Sequence, residues 1–103
     1  MTGQAPQIYD RVGPVLQSGP VANAIIAAIK DLNHDVMLVD RGAYVRVLVP
    51  RCCVVTRSAI EKHLGRLFRF PGELEMVMSA FKGSLQLNQD DAAWQFAQTQ
   101  TSP

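Results

Sequence analysis

The chain has 103 residues, of which 48% are apolar and 18% charged, and its formal charge is +1. This length predicts one domain, residues 1–103, with one hydrophobic core. The small net charge gives no reason to expect a nucleic acid or an anionic membrane as partner. The longest apolar-rich stretch, residues 21–29, is too short to span a bilayer, and the N-terminus shows no secretory signal. A reducing, cytoplasmic setting is therefore expected, with a flexible N-terminal arm at 1–11 and a flexible C-terminal tail at 98–103.

The first half of the chain predicts a strand, a helix and two further strands. An apolar run covers residues 12–16. A helix is expected to start at Ser18-Gly19-Pro20 and to end near Leu32, because apolar side chains then recur at helical spacing. Residues 36–39 are rich in β-branched side chains, and residues 43–49 alternate, so both predict strands.

The middle of the chain predicts a second helix. Thr56 is a good N-cap, and Gly65 is placed to end the helix. A capping box of Ser58 and Glu61 is the alternative start. The positions at helical spacing that predict a core-facing surface are Ile60, Leu64, Leu67 and Phe68.

The last third of the chain predicts strands. Residues 74–81 alternate and predict a strand that places Met76 and Met78 in the core. Residues 85–87 and 92–96 keep strand spacing on either side of a turn. The order strand, helix, strands, helix, strands predicts an α+β domain of two β-α-β-β units with mainly antiparallel sheets.

The two cysteines of the chain, Cys52 and Cys53, are adjacent in an apolar run, residues 49–55. Strand alternation sends their side chains to opposite faces, which opposes a disulfide between them. Only Arg51 and Arg57 lie near enough in the chain to lower a thiol pKa. We therefore predict two free thiols, with at least one packed in the core.

No other pattern predicts catalysis, metal binding or a cofactor. The sequence lacks the Cys and His spacings of zinc sites, and we expect His34 and His63 to be solvated. Residues 88–91 lack the glycine and distal glutamate of a calcium loop and predict a turn. The glycines lie singly at element ends, so no phosphate-binding loop is present. A protein of this kind acts by binding.

Four stretches together resemble the effector, or coupling, proteins of bacterial multicomponent diiron monooxygenases. They are VGPVL at 12–16, DRGAYVRV at 40–47, TRSAIEKHLGRLF at 56–68 and GELEMVMSAFKG at 72–83. The resemblance spans about residues 12–96 and is closest to the toluene-type and alkene-type effectors. Methane-type effectors carry a much longer tail before the first motif, which argues against that branch.

The resemblance implies a monooxygenase effector-like fold and a regulatory protein, not an enzyme, without metal or cofactor. Such effectors bind the diiron hydroxylase and tune oxygen activation, substrate access and coupling in hydrocarbon hydroxylation or epoxidation. The resemblance also implies a monomer when free, and competition with a Rieske-type ferredoxin for an overlapping face. On the residues alone, a small-molecule-sensing regulatory domain of α+β type stays open as the alternative.

Carried onto this chain, the resemblance implies a set of residues that contact the hydroxylase. They are Val12, Gly13, Pro14, Asn23, Tyr44, Arg46, Arg66, Phe81 and Gly83. Other roles stay open for several of them. Gly13 can serve backbone geometry, and Phe81 can belong to the core. Arg46 can be an internal ion-pair partner of Asp40 or Glu75.

Overall fold

The computed structural model describes residues 10–96, which form seven strands and three helices. In chain order the elements are β1 (Arg11–Gln17), α1 (Pro20–Leu32), β2 (Met37–Asp40), β3 (Tyr44–Pro50), β4 (Cys52–Thr56), α2 (Arg57–Leu64), α3 (Gly72–Val77), β5 (Met78–Lys82), β6 (Ser84–Leu87) and β7 (Asp91–Gln95).

The predicted arm and tail lie almost wholly outside the described residues. Arg11, which the sequence analysis places in the arm, is instead the first residue of β1. Its buried guanidinium donates hydrogen bonds to the carbonyl oxygens of Asp35 and Leu48, and it forms an ion pair with the Asp35 carboxylate at 2.8 Å. These contacts tie Arg11 to the sheet.

The strands form two antiparallel sheets, which confirms the predicted α+β class. The four-stranded sheet has the order β2-β3-β1-β5, and the three-stranded sheet has the order β4-β7-β6. The two predicted β-α-β-β units are therefore not separate in space, because β5 joins the sheet of the first unit. One residue, Gly83, then carries the chain into the other sheet. Its φ is +105°, and a Cβ there would lie 2.7 Å from Val12, so only glycine fits this crossing.

The core lies between the two sheets and the helices. Helix α1 packs against α2 and β4, and six of its residues are buried. The largest fully buried side chains from the rest of the chain include Trp94, Phe68, Leu16 and Ile60. The long apolar face of α1 is thus buried in the core, as its helical spacing predicts.

Helix α2 has the predicted ends. The Thr56 hydroxyl accepts a hydrogen bond from the Ala59 N–H at 3.2 Å, so Thr56, and not Ser58, is the N-cap. Gly65 is the C-cap with φ +78°, in the left-handed region that favours glycine. The predicted core face is too long, because Leu67 lies beyond this cap and is 82% exposed. Phe68 is buried, as predicted, although the loop and not the helix carries it inward.

The predicted strand at 74–81 is wrong in its first half. Residues Gly72–Val77 form α3, and only Met78–Lys82 is a strand. Leu, Glu and Met are strong helix formers, and Glu73 and Glu75 are favourable in the first turn of a helix. In a helix, positions two apart lie on opposite sides, so Leu74 is buried whereas Met76 is 80% exposed. Met76 is therefore not a core residue.

Candidate functional site

The described residues contain no candidate metal centre, and the two cysteines are free thiols. No group of three or more His, Cys, Asp or Glu side chains within 10–96 is placed to hold a metal ion. Cys52 is exposed and Cys53 buried, both as free thiols, which confirms their predicted opposite faces. Burial raises the pKa of the Cys53 thiol to about 12, so it is a packing residue rather than a nucleophile.

His63 has a partner, in contrast to the expectation that it is simply solvated. Its Nε2 lies 2.6 Å from Oδ2 of Asp31, and this contact joins α2 to α1. The hydrogen bond with His63 is the main cause that lowers the pKa of Asp31 from its ordinary value. The pair links two helices and has no third ligand among the described residues.

Within 10–96, no helix has both the length and the apolar character that crossing a membrane requires.

A groove of about 370 Å³ lies across β3, β1 and β5 of the four-stranded sheet. We call it the sheet groove. It is lined by Gly13, Pro14, Val15, Tyr44, Arg46, Val47, Leu48, Ser79, Ala80, Phe81 and Lys82. Five of the nine predicted docking residues meet here, although they come from three distant parts of the sequence.

Strand pairing explains why these residues meet. In the β1–β3 ladder, Val15 pairs with Arg46 and Gln17 with Tyr44. In the β1–β5 ladder, Pro14 pairs with Phe81, and the register shifts after Val15. Because β1 is central, its two ladders bring the VGP segment, the YVR strand and Phe81 to one surface.

Gly13 allows β1 to approach β3 closely at this point. Its φ is +150°, and a Cβ there would collide with the carbonyl oxygen of Val47. The backbone role left open for Gly13 is therefore real, and it shapes one wall of the sheet groove.

The rim of the sheet groove exposes two aromatic rings and a cationic side chain. Tyr44 is 41% and Phe81 46% exposed, so Phe81 is not a core residue. Arg46 is half-buried and forms no ion pair with any residue of 10–96; in particular, neither Asp40 nor Glu75 is its partner. Aromatic rings beside a guanidinium on a preformed sheet are typical of a protein-binding surface.

A second, smaller groove extends this surface towards α3. It has a volume of about 270 Å³ and shares Tyr44 and Ser79 with the sheet groove. Its lining also includes Gln17, Ala43, Val77 and the exposed Met76. The sequence analysis missed Met76 because an apolar residue at strand spacing was expected in the core.

The other predicted docking residues lie elsewhere. Val12 is fully buried, and Gly83 is the crossing between the sheets. Asn23 is exposed on α1, as expected from the sequence. Arg66 is held by Glu73 in the loop after α2. The sheet groove therefore collects part of the predicted set and not these four.

The comparisons with known proteins point to one family. The MmoB/DmpM family matches residues 10–95. Over 87 residues the chain is 38% identical to the effector subunit of the alkene monooxygenase system of Xanthobacter autotrophicus (strain ATCC BAA-1158 / Py2), covering 82% of this chain and 85% of that protein.

Two solved structures have the same fold. One is a chain from the structure of a phenol hydroxylase–regulatory protein complex, with a TM-score of 0.73 and 18% identity, over 84% of this chain and 98% of that chain. The other is regulatory protein B of soluble methane monooxygenase, with a TM-score of 0.64 and 20% identity, over 92% of this chain and 71% of that chain.

Proposed function

The chain belongs to the MmoB/DmpM family, and we propose that it is the effector subunit of a multicomponent monooxygenase, acting by binding the diiron hydroxylase. Its relatives are named effector or regulatory proteins, and one similar structure is a complex of such a protein with a phenol hydroxylase. Under this proposal the hydroxylase carries the chemistry of hydrocarbon hydroxylation or epoxidation, and this chain supplies no catalytic residue, metal or cofactor.

A protein that supplies no catalytic group can regulate the hydroxylase only by binding its different states with different affinities. A ligand shifts an equilibrium between two states only by the difference in its affinity for them. The effector therefore has to bind the oxygen-activating state of the hydroxylase more tightly than its resting state. This binding difference tunes oxygen activation, substrate access and coupling.

The sheet groove is the observation that carries the proposed docking site. Tyr44 and Arg46 belong to the residue types that dominate binding energy at protein interfaces, and Phe81 to the aromatic types that are enriched there. Their strands are held by backbone ladders on both sides of β1, so little ordering is required when a partner binds. Among the residues proposed to contact the hydroxylase, we expect these three to matter most, ahead of Asn23.

Three further features belong to the same proposal. The free protein is a monomer, because its docking surface has to remain available. A Rieske-type ferredoxin competes for an overlapping face of the hydroxylase, so effector and electron donor bind in alternation. The setting is cytoplasmic, where Cys52 and Cys53 remain reduced.

Titration of the purified cognate hydroxylase tests the proposal. With its reductase and ferredoxin present, turnover should rise with effector concentration and saturate near one effector per active site. Tyr44→Ala should raise the concentration needed for half-maximal stimulation by about tenfold. Leu32→Ala, a similarly exposed residue at the end of α1, should change it less than about twofold.

A parent protein that neither binds nor stimulates the hydroxylase would contradict the proposed function. If its melting temperature instead rose with a small metabolite, the small-molecule-sensing alternative would replace it.

A further inference from the structure

The loop between α2 and α3, residues 65–71, is fixed by side chains. We call it the braced loop. Arg66 donates two hydrogen bonds to the carboxylate of Glu73, at 3.1 and 2.9 Å, and a third to the carbonyl oxygen of Leu67 at 2.9 Å. The Glu73 carboxylate also accepts the Arg69 backbone N–H at 2.9 Å. One bidentate ion pair thus closes the loop across its ends.

Phe68, two residues after Arg66, anchors the loop in the core. Phe68 is only 2% exposed, and its ring lies 6.2 Å from that of Phe70. Its backbone N–H donates to the carboxylate of Glu61 at 2.9 Å. With Phe68 held inward and Arg66 paired across the loop, the Leu67 side chain between them points to solvent.

Leu67 is the most exposed large apolar side chain of the described residues, at 82%. Burying a leucine side chain is favourable, so a loop that was free to move would tend to cover it. Here the bracing contacts keep it outside. A rigid loop that presents a single apolar side chain can serve as a preorganised anchor for a partner.

The surroundings of Leu67 indicate the chemistry of that partner. A groove of about 520 Å³ beside it is lined by Arg57, Glu61, Leu67, Phe68, Arg69, Phe70 and Gly72. Residues 57–73 carry four Lys or Arg side chains and two carboxylates, against a net charge of +1 for the whole chain. Of the two arginines that line the groove, Arg57 forms an ion pair with Asp90 at 3.2 Å, whereas the exposed Arg69 forms no ion pair within 10–96. A complementary surface is apolar at its centre and acidic at its rim.

The braced loop also leads directly into a helix that lines the surface proposed above. It ends at Pro71, and α3 begins at the next residue and carries the exposed Met76, which lines the smaller groove together with Tyr44. Two exposed apolar side chains thus lie close together in the chain, Leu67 before this short helix and Met76 within it.

We infer that the braced loop is a second docking point for the hydroxylase, with Leu67 entering an apolar pocket bordered by carboxylates. This inference rests on the proposed function. Arg66 and Glu73 are positioning residues, because they form an ion pair with each other and this pair holds Leu67 in its exposed position. Arg66, implied above as a docking residue, thus acts through Leu67.

The direct test is the affinity of effector variants for the purified hydroxylase, measured by calorimetry. Leu67→Ala should weaken binding by about tenfold, because the partner then no longer buries the leucine side chain. Leu32→Ala is the matched control and should change it by less than about twofold. Because Leu67 packs on nothing in the core, its substitution should leave the melting temperature unchanged.

The positioning role is tested by a charge exchange. Arg66→Glu should weaken binding, and the double variant Arg66→Glu with Glu73→Arg should recover most of it, because the pair can form again in reverse. Arg69→Gln should weaken binding at low salt and lose its effect at high salt, whereas Arg41→Gln, a change at another exposed arginine, should have little effect at either.

The outcomes separate this inference from the proposed function. If Tyr44→Ala weakens binding and Leu67→Ala does not, the inference is overturned and the proposed function stands. If the parent does not bind the hydroxylase at all, both fall. If the parent self-associates in sedimentation and Leu67→Ala abolishes this, the occupant is a second copy of the chain, and the inference is also overturned.

Discussion

The sheet groove and the braced loop both expose large apolar side chains, but different forces hold them in place. Tyr44 and Phe81 stand on strands whose backbones are paired in ladders. Leu67 stands on a loop held by the side chains of Arg66, Glu73, Glu61 and Phe68. The geometry of the groove should therefore tolerate most side-chain changes. The geometry of the loop depends instead on these four side chains.

The largest expected difference between the two regions comes from the same substitution made in each. Phe68→Ala removes a buried ring and should cost about 3–5 kcal/mol of unfolding free energy. Phe81→Ala removes an exposed ring and should cost less than about 1 kcal/mol. Urea denaturation of both variants measures the contrast, and equal losses would show that Phe81 is packed more tightly than its exposure indicates.

A second contrast concerns the backbone of the groove. Gly13→Ala forces a Cβ against the Val47 carbonyl oxygen at φ +150° and should cost about 2–3 kcal/mol. Gly42→Ala, at φ +83° in open space, should cost only about 1 kcal/mol. Denaturant unfolding measures both losses of unfolding free energy. Equal losses in the two variants would contradict the prediction.

The ion pair of the loop predicts that the stability of the protein depends on pH. Hydrogen bonds from Arg66 and from the Arg69 backbone lower the pKa of Glu73 below its ordinary 4.5. The unfolded chain therefore takes up this proton first, so the pair stabilises the fold above about pH 4.5. That contribution is lost as the pH falls through the lower pKa of the folded state. Between pH 7 and 3, the unfolding free energy of the Glu73→Gln variant should therefore change less with pH than that of the parent. Glu75→Gln, a substitution at an exposed residue, is the control.

The smallest effects are expected at Cys52, which lies outside both regions. Cys52→Ala should change the unfolding free energy by less than about 0.5 kcal/mol. The double variant with Cys53→Ala should still stimulate the hydroxylase, apart from any loss of stability. In a thiol titration, one cysteine should react in the native protein and two after unfolding. Two rapid reactions in the native state would show that Cys53 is more accessible than its burial indicates.

Local sequence signals predict the parts of this fold that local forces determine. The ends of α2 follow from Thr56 and Gly65, and the opposite faces of Cys52 and Cys53 follow from strand alternation. Alternation failed over residues 74–77, because strong helix formers there obey the helical period instead.

The site was harder to predict because it depends on long-range pairing and on exposure. The resemblance supplied Tyr44, Arg46 and Phe81, but only the ladders of β1 show that they share a groove. The sequence patterns predict that Leu67 and Met76 belong to the core, since apolar residues are usually buried. Nothing in the sequence pattern shows that Arg66 and Glu73 hold Leu67 outward.

The position of β1 between β3 and β5 has a consequence for when the protein becomes competent to bind. The wall of the sheet groove formed by β5 comes from the far end of the described chain, through pairs such as Gly13 with Lys82. Non-local pairings of this kind form slowly, because the intervening chain has to be closed first. During synthesis, β1, α1, β2 and β3 are complete while that wall is still absent. A hydroxylase that binds through the sheet groove, as proposed above, therefore recognises the chain only after β5 has been synthesised and has paired with β1.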